Sequence, residues 1–301
     1  MDVNRRVWRL GAAVLGALAL AGCGGGAGHA GLQVVAAENF WGSIAAQLAG
    51  SKATVRSIIV NPDTDPHSYD ATAADARSFA AARLAIVNGI GYDDWAPKLL
   101  AASPLSGRIT LNVGGLLGLH AGDNPHQWYS PSNVMRVVAA ISSDLARLDP
   151  GDAAYFRARE RAFATTALAR YHALIAEIRA RYHGVAVGYS ESIFQPLGAA
   201  LGLRLLTPYS FAKAIAEGTD VTAADKQTVD RQAQQRLIKV WVFNSQNVTP
   251  DVQRVNQLAR AAGIPIATVT ETLSPARDSF QQWQVGELEG LARALARGTG
   301  R

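Results

Sequence analysis

Cysteine is almost absent from this chain of 301 residues, which contains one, Cys23. The rest of the chain therefore has no thiol for a disulfide or a thiolate metal site, and any bound metal ion must be held by histidine and carboxylate side chains. A basic tract is also missing, because the net charge of +5 comes largely from scattered arginines. This absence argues against a nucleic-acid partner.

A long membrane-spanning run is missing as well. The apolar run Leu10–Leu20, which follows three arginines, is too short to cross a bilayer. It ends in Leu20-Ala21-Gly22-Cys23, which is similar to the lipobox of bacterial lipoproteins. We therefore predict a signal peptide over residues 1–22, lipid attachment at Cys23 and a glycine-rich tether over residues 23–32. The protein would then be anchored in the cell envelope, on the outer face of the cytoplasmic membrane; an ordinary signal peptide with an incidental cysteine is the alternative.

From Gln33 onward, short β-branched runs alternate with alanine-rich segments of helical periodicity. This pattern is typical of the α/β class, with helices packed on parallel sheets. Residues 152–181 contain no proline or glycine, which predicts one long helix over residues 151–183. The expected architecture is an α/β lobe over residues 33–150, the connecting helix, and a second α/β lobe over residues 184–301, with a ligand cleft between the two lobes.

Seven strands are predicted, near Val34–Ala37, Thr54–Val60, Leu84–Asn88, Arg108–Val113, Val185–Tyr189, Ile238–Phe243 and Pro265–Val269. Four polar residues lie just beyond the ends of such strands or in the loops that leave them: His67, His126, Glu191 and Glu271. Open parallel sheets place their ligand sites in this position. Each residue alone is weak evidence, since a loop histidine is usually solvated and a carboxylate at this point often caps a helix.

Together, two imidazoles and two carboxylates form a set that suits zinc or manganese better than calcium or magnesium. We predict that His67, His126, Glu191 and Glu271 bind such an ion between the lobes, although an aspartate or asparagine near Glu271 is an alternative fourth ligand. Four protein ligands leave little room for an activated water, so the set indicates capture of the ion rather than hydrolysis. The choice between zinc and manganese stays open, because carboxylate ligands favour manganese while the general order of metal affinities favours zinc.

The chain resembles the zinc and manganese solute-binding proteins of ABC importers over nearly its whole mature length. The resemblance is carried by Ala36 to Trp41, Asp65 to Tyr69, Val87 to Trp95, Asn124 to Trp128, and the strand ends Ser190-Glu191 and Thr270-Glu271. It implies a pair of lobes with modest closure that delivers the metal ion to a membrane permease driven by a cytoplasmic ATPase. We expect a monomer without enzymatic activity.

Three features depart from the zinc-specific relatives. Those proteins often have a third histidine where this chain has Glu191, and an aspartate is usual at the position of Glu271. Many also carry a long histidine-rich loop before the second ligand motif, whereas residues 114–123 are short and contain one histidine. A secondary zinc-collecting loop is therefore missing.

Other functions remain as alternatives at this stage. They are a surface adhesin or interaction lipoprotein, a binding protein for an organic solute or metal chelate, and an exported metal-dependent hydrolase. The hydrolase would need an open coordination position on the metal ion. The organic-solute protein would need a cleft lined by arginine or aromatic residues in place of the histidine pair.

Overall fold

The computed structural model describes residues 31–62, 64, 66 and 69–301. The predicted signal peptide, Cys23 and most of the tether lie outside these residues, and so does His67. Residues 31–301 form one compact unit by their internal packing.

Two four-stranded parallel sheets dominate this unit, which confirms the predicted α/β class. The first sheet contains β1 (Leu32–Glu38), β2 (Ala53–Ile59), β3 (Leu84–Val87) and β4 (Ile109–Asn112), in the order β2-β1-β3-β4. The second contains β5 (Ala186–Tyr189), β6 (Arg204–Leu205), β7 (Val240–Asn244) and β8 (Ile266–Val269), in the equivalent order β6-β5-β7-β8. The central strands are almost wholly buried, as their continuous apolar runs predict.

Twelve α-helices occupy the described residues. They are α1 (Asn39–Ala49), α2 (Ala73–Ala81), α3 (Trp95–Ala102), α4 (Val113–Leu117), α5 (Pro131–Leu148), α6 (Ala153–Ala162), α7 (Ala169–Tyr182), α8 (Gln195–Ala200), α9 (Tyr209–Ala216), α10 (Ala223–Gln234), α11 (Pro250–Ala261) and α12 (Phe280–Thr299). Side-chain caps explain several starts: Thr72 and Ser279 form capping boxes at α2 and α12, and Ser130 caps α5 just before a proline at the first helical position. No helix in the described part of the chain is long and apolar enough to cross a membrane.

The segment predicted as one long helix is helical over residues 153–167 and 169–182, with Leu168 in a turn, and it is not uniform. A π-helical turn at Phe163–Ala167 separates α6 from α7. Such a turn inserts a residue into the helical repeat. The apolar side chains of this segment, including Phe156, Phe163 and Tyr171, remain buried on both sides of the turn.

The two sheets share one hydrophobic core. Its buried residues include Trp41 and Trp128 from the first half of the chain, Tyr171 from the connecting helix, and Trp283 and Leu295 from α12. Smaller apolar clusters cover the other face of each sheet. Because an apolar, shared core resists separation, large rigid-body movements of one lobe against the other are restricted.

In each parallel sheet the order of strands reverses: the second strand lies on one side of the first, and the third and fourth lie on the other. The pairs β1 and β3, and likewise β5 and β7, therefore flank a topological switch point. Open α/β sheets bind ligands in the crevice beyond the carboxyl ends of the strands at such points. Loops from the two sheets meet here, as the hydrogen bond from Tyr92, which follows β3, to Glu271, which follows β8, demonstrates. The fold thus brings two candidate crevices face to face.

Candidate metal centre

Three of the four predicted site residues converge at this meeting point. The Nε2 atom of His126 lies 3.5 Å from Oε1 of Glu271 and 4.0 Å from Oε1 of Glu191. One potential ligand atom from each of the three residues lies within 4.8 Å of the other two. In the described residues this is the group of histidine and acidic side chains that has the spacing of a metal site.

Each of the three side chains arrives from a different loop. His126 stands at the start of a 3₁₀ turn, Gln127–Tyr129, in the loop between α4 and α5. Glu191 follows β5 and Glu271 follows β8, so both carboxylates leave the carboxyl end of the second sheet. The fourth predicted ligand, His67, lies outside the described residues, and its place in the site stays a prediction.

The centre is almost completely closed to solvent. His126 is 0%, Glu191 1% and Glu271 6% exposed. Burial and the nearby charge of Glu271 raise the pKa of Glu191 well above its ordinary value. Two buried carboxyl groups at this distance are costly as a pair of negative charges, so the site favours an arriving cation or a retained proton.

His126 is held as a neutral imidazole, the form in which a histidine can bind a metal ion. Burial lowers the pKa of its imidazole to about 4, against the opposing effect of Glu191, so the ring is neutral at neutral pH. Its Nδ1 atom lies 2.7 Å from Oδ1 of Asn124. Since an amide oxygen only accepts, the hydrogen-bond network assigns the ring proton to Nδ1 and leaves the lone pair of Nε2 directed towards the two carboxylates.

Sequence reasoning missed two residues that hold the carboxylates. Asn244, the last residue of β7, donates from Nδ2 to Oε2 of Glu191 (2.9 Å) and to Oε1 of Glu271 (3.0 Å). The hydroxyl of Tyr92 donates to Oε2 of Glu271 at 2.9 Å. The available signal for Asn244 was its position at a strand end, the same criterion that selected Glu191 and Glu271.

Contacts between the lobes surround the centre. Asn124 donates from Nδ2 to the carbonyl oxygen of Ser192 (2.8 Å) and to Oε1 of Gln195 (3.0 Å). On another side, the backbone N–H of Leu273 donates to Oδ1 of Asn39 at 3.2 Å. The Asn124 amide therefore both orients His126 and joins the two halves of the site.

Aromatic side chains exclude water on the side of the first lobe. Trp128 stacks on Phe40 with ring centroids 3.9 Å apart, and its ring meets the edge of His126 at 5.2 Å. Tyr92 packs against the same tryptophan at 5.1 Å. Trp95, by contrast, packs on Tyr69 away from this cluster. Phe40, Trp128 and Tyr92 therefore fix the imidazole, and the dry surroundings strengthen electrostatic attraction inside the site.

The chain is similar to known metal-binding proteins. The profile of the family described as "Zinc-uptake complex component A periplasmic" (ZnuA) matches residues 34–294. Over 161 residues the chain is 28% identical to the "Manganese-binding lipoprotein MntA" of Halalkalibacterium halodurans, covering 49% of this chain and 51% of that protein. Over 127 residues it is 31% identical to the "Iron-binding protein YfeA" of Yersinia pestis, covering 40% of each chain. The chain thus spans about half the length, or less, of these curated relatives.

Solved structures share the fold across nearly the whole described chain. A manganese-bound periplasmic metal-binding protein from Candidatus Liberibacter asiaticus superposes with a TM-score of 0.72 at 21% identity, covering 87% of this chain and 98% of that one. A mutant of the laminin-binding adhesin Lmb from Streptococcus agalactiae gives 0.72 at 18% identity, covering 88% and 100%. At these identities the similarity establishes the fold.

Proposed function

The chain belongs to the ZnuA family of periplasmic metal-uptake components, and we propose that it captures a divalent transition metal ion, zinc or manganese, between its lobes and delivers it to an ABC importer. As a solute-binding protein it is not an enzyme. The observation that carries the proposal is the convergence of a neutral imidazole and two carboxyl groups, all buried, with ligand atoms within 4.8 Å of one another.

The ligand set consists of Nε2 of His126 and carboxylate oxygens of Glu191 and Glu271, with His67 as the fourth ligand. A doubly charged cation offsets the repulsion between the two carboxylates, which explains why a fold would bury them together. Nitrogen and oxygen ligands without thiolates suit zinc and manganese. The distance of 3.5 Å between Nε2 of His126 and Oε1 of Glu271 supports Glu271, rather than a neighbouring aspartate or asparagine, as a ligand.

The chemistry of the site supports a bare ion over an organic solute. A cavity for an organic molecule is lined mainly by apolar and aromatic groups with a few polar contacts. Here Asn244 donates hydrogen bonds to both carboxylates, and ligand atoms of His126, Glu191 and Glu271 lie within 4.8 Å of one another. This spacing fits a single cation.

The remaining parts of the proposal come from the family and from the sequence. The partners are a membrane permease and its cytoplasmic ATPase, and the protein acts as a monomer. Cys23 carries the lipid that keeps it on the outer face of the cytoplasmic membrane.

Competitive metal titration tests the function. The metal-stripped protein is titrated with zinc and with manganese against a chromophoric chelator, in parallel with His126→Ala and the control His120→Ala, which changes an exposed histidine. We expect one ion per chain in the wild type and the control, and an affinity at least ~100-fold lower in His126→Ala, because a direct ligand is lost. Equal affinity in all three proteins, or no binding by the wild type, would overturn the proposal.

A further inference from the structure

We propose that Tyr92 and Asn244 are specificity-determining positioning residues, which hold Glu191 and Glu271 so that each presents one oxygen to the ion and thereby favour zinc over manganese. The inference rests on the proposed metal-binding function and extends it to the choice of ion. Neither residue is one of the proposed ligands.

The position of the Asn244 side-chain amide, whose Nδ2 atom is the donor, is fixed by the second sheet. This residue ends the central strand β7, which pairs with β5 on one side and β8 on the other. Its Oδ1 accepts from the backbone N–H of Gln246 at 3.0 Å, and its own N–H donates to Oγ of Ser190 at 3.1 Å. With the amide oxygen occupied in this way, Nδ2 is aimed at the two carboxylates.

Tyr92 provides the second fixed donor, from the opposite lobe. It is 1% exposed, and its ring packs against Phe40 and Trp128. Its backbone N–H donates to the carbonyl oxygen of Gly89 at 3.0 Å. The hydroxyl can therefore reach Oε2 of Glu271, at 2.9 Å, only from one direction.

These donors divide the oxygens of each carboxylate into two roles. The Oε1 atoms of Glu191 and Glu271 face Nε2 of His126 at 4.0 and 3.5 Å. The Oε2 atoms accept from Asn244 and from Tyr92 respectively, and Oε1 of Glu271 also accepts from Asn244. Because a carboxylate oxygen has two lone pairs, Oε1 of Glu271 can keep this hydrogen bond and still bind an ion. While each Oε2 atom keeps its hydrogen bond to Asn244 or Tyr92, the carboxylate cannot rotate to bring both oxygens to the ion. Only Oε1 then faces an ion bound to the imidazole.

The number of ligand atoms then selects the ion. With one oxygen from each carboxylate, the three described side chains supply three ligand atoms; with both oxygens they would supply five. Zinc is satisfied by four ligands in a tetrahedron, whereas manganese prefers about six, mostly oxygen. A bidentate carboxylate for manganese would take an Oε2 atom away from the Tyr92 hydroxyl or the Asn244 amide, and the loss of that buried hydrogen bond is unfavourable.

The test compares the ratio of manganese to zinc dissociation constants in the wild type, Tyr92→Phe and Asn244→Ala. The matched control is Tyr171→Phe, which removes a hydroxyl from another buried tyrosine. Tyr171 lies in the connecting helix and packs on Phe280 of α12. We expect the ratio to fall on the order of tenfold in Tyr92→Phe and in Asn244→Ala, the range typical of residues that orient metal ligands, and to stay unchanged in the control.

X-ray absorption spectroscopy at the zinc and manganese edges supplies a readout that general destabilisation would not change. The wild type should show four nitrogen or oxygen atoms around zinc, and Tyr92→Phe should show more oxygen atoms around manganese than the wild type does. The inference is overturned if both variants bind zinc with a ratio within about twofold of the wild type, or if the wild-type spectra show both carboxylates bidentate. If Tyr92→Phe does not fold, Asn244→Ala and the wild-type spectra decide. Absence of zinc and manganese binding in the wild type would instead refute the proposed function.

Discussion

Replacing Glu191 by glutamine should have opposite effects on the metal-free and metal-bound forms of the protein. In the metal-free form, Glu191 and Glu271 lie within 4.8 Å of each other and are buried. Glutamine has the same shape: its amide oxygen can accept from Asn244 as Oε2 of Glu191 does, while its amide nitrogen can donate to Glu271. The substitution therefore removes repulsion and adds a hydrogen bond.

The magnitude follows from Coulomb's law. At 4.8 Å, the upper limit of the separation between the ligand oxygens of Glu191 and Glu271, two unit charges repel by about 3.5 kcal/mol at an effective dielectric constant of about 20. Since the raised pKa of Glu191 means that part of this repulsion is relieved by a retained proton, we expect a net gain of about 1–3 kcal/mol for the metal-free protein. In a domain of this size that corresponds to a rise in Tm of about 2–5 °C.

Differential scanning calorimetry with and without zinc measures both effects. The metal-free Glu191→Gln variant should melt above the metal-free wild type, and the rise in Tm that zinc gives the wild type should largely disappear, because a charged ligand is lost. Glu177→Gln, a change at an exposed glutamate, is the control and should behave as the wild type. A lower Tm for metal-free Glu191→Gln together with an unchanged response to zinc would refute the reasoning.

Four further predictions concern single side chains. Asn124→Ala should weaken zinc binding about 10- to 100-fold and change the ¹⁵N chemical shifts of His126, because the acceptor that fixes its Nδ1 proton is lost; unchanged shifts would contradict the tautomer assignment. Burial raises the pKa of Glu287 to about 8. The bound proton therefore stabilises the fold fully below the unfolded pKa of about 4.3, and this stabilisation is lost as the pH rises through about 8. The free energy of unfolding, measured in urea from pH 5 to 9, should fall less steeply with pH in Glu287→Gln than in the wild type. Arg108→Ala should cost about 2–4 kcal/mol, because the guanidinium donates to carbonyl oxygens at the ends of α2 and α3; metal affinity should stay the same, and a loss of affinity without a loss of stability would be contrary evidence. Cys23→Ala should move the protein from the membrane fraction to the soluble envelope fraction, and retention in the membrane would count against the lipid anchor.

Much of the fold could be predicted because the strands are buried apolar runs and the helices have clear starts. Leu84–Val87 is a continuous apolar run, and Val240–Asn244 is apolar up to its last residue; in a parallel sheet such strands are covered on both faces. Strand β6 was missed because its two residues, Arg204 and Leu205, are too short to show a period.

The ligands could be predicted from their own loops, but their surroundings could not. His126, Glu191 and Glu271 each follow a recognisable strand or motif, so their positions at the sheet edge follow from chain order. The hydrogen bond between Tyr92 and Glu271 joins residues 179 positions apart. No local pattern encodes such a contact, because it depends on how the two lobes pack.

Anomalous diffraction from crystals grown with zinc tests the central claim most directly. The account predicts a single strong zinc peak per chain, at bonding distance from Nε2 of His126 and from one oxygen each of Glu191 and Glu271. A peak bound only to exposed histidines such as His120, or no peak between the lobes, would contradict it.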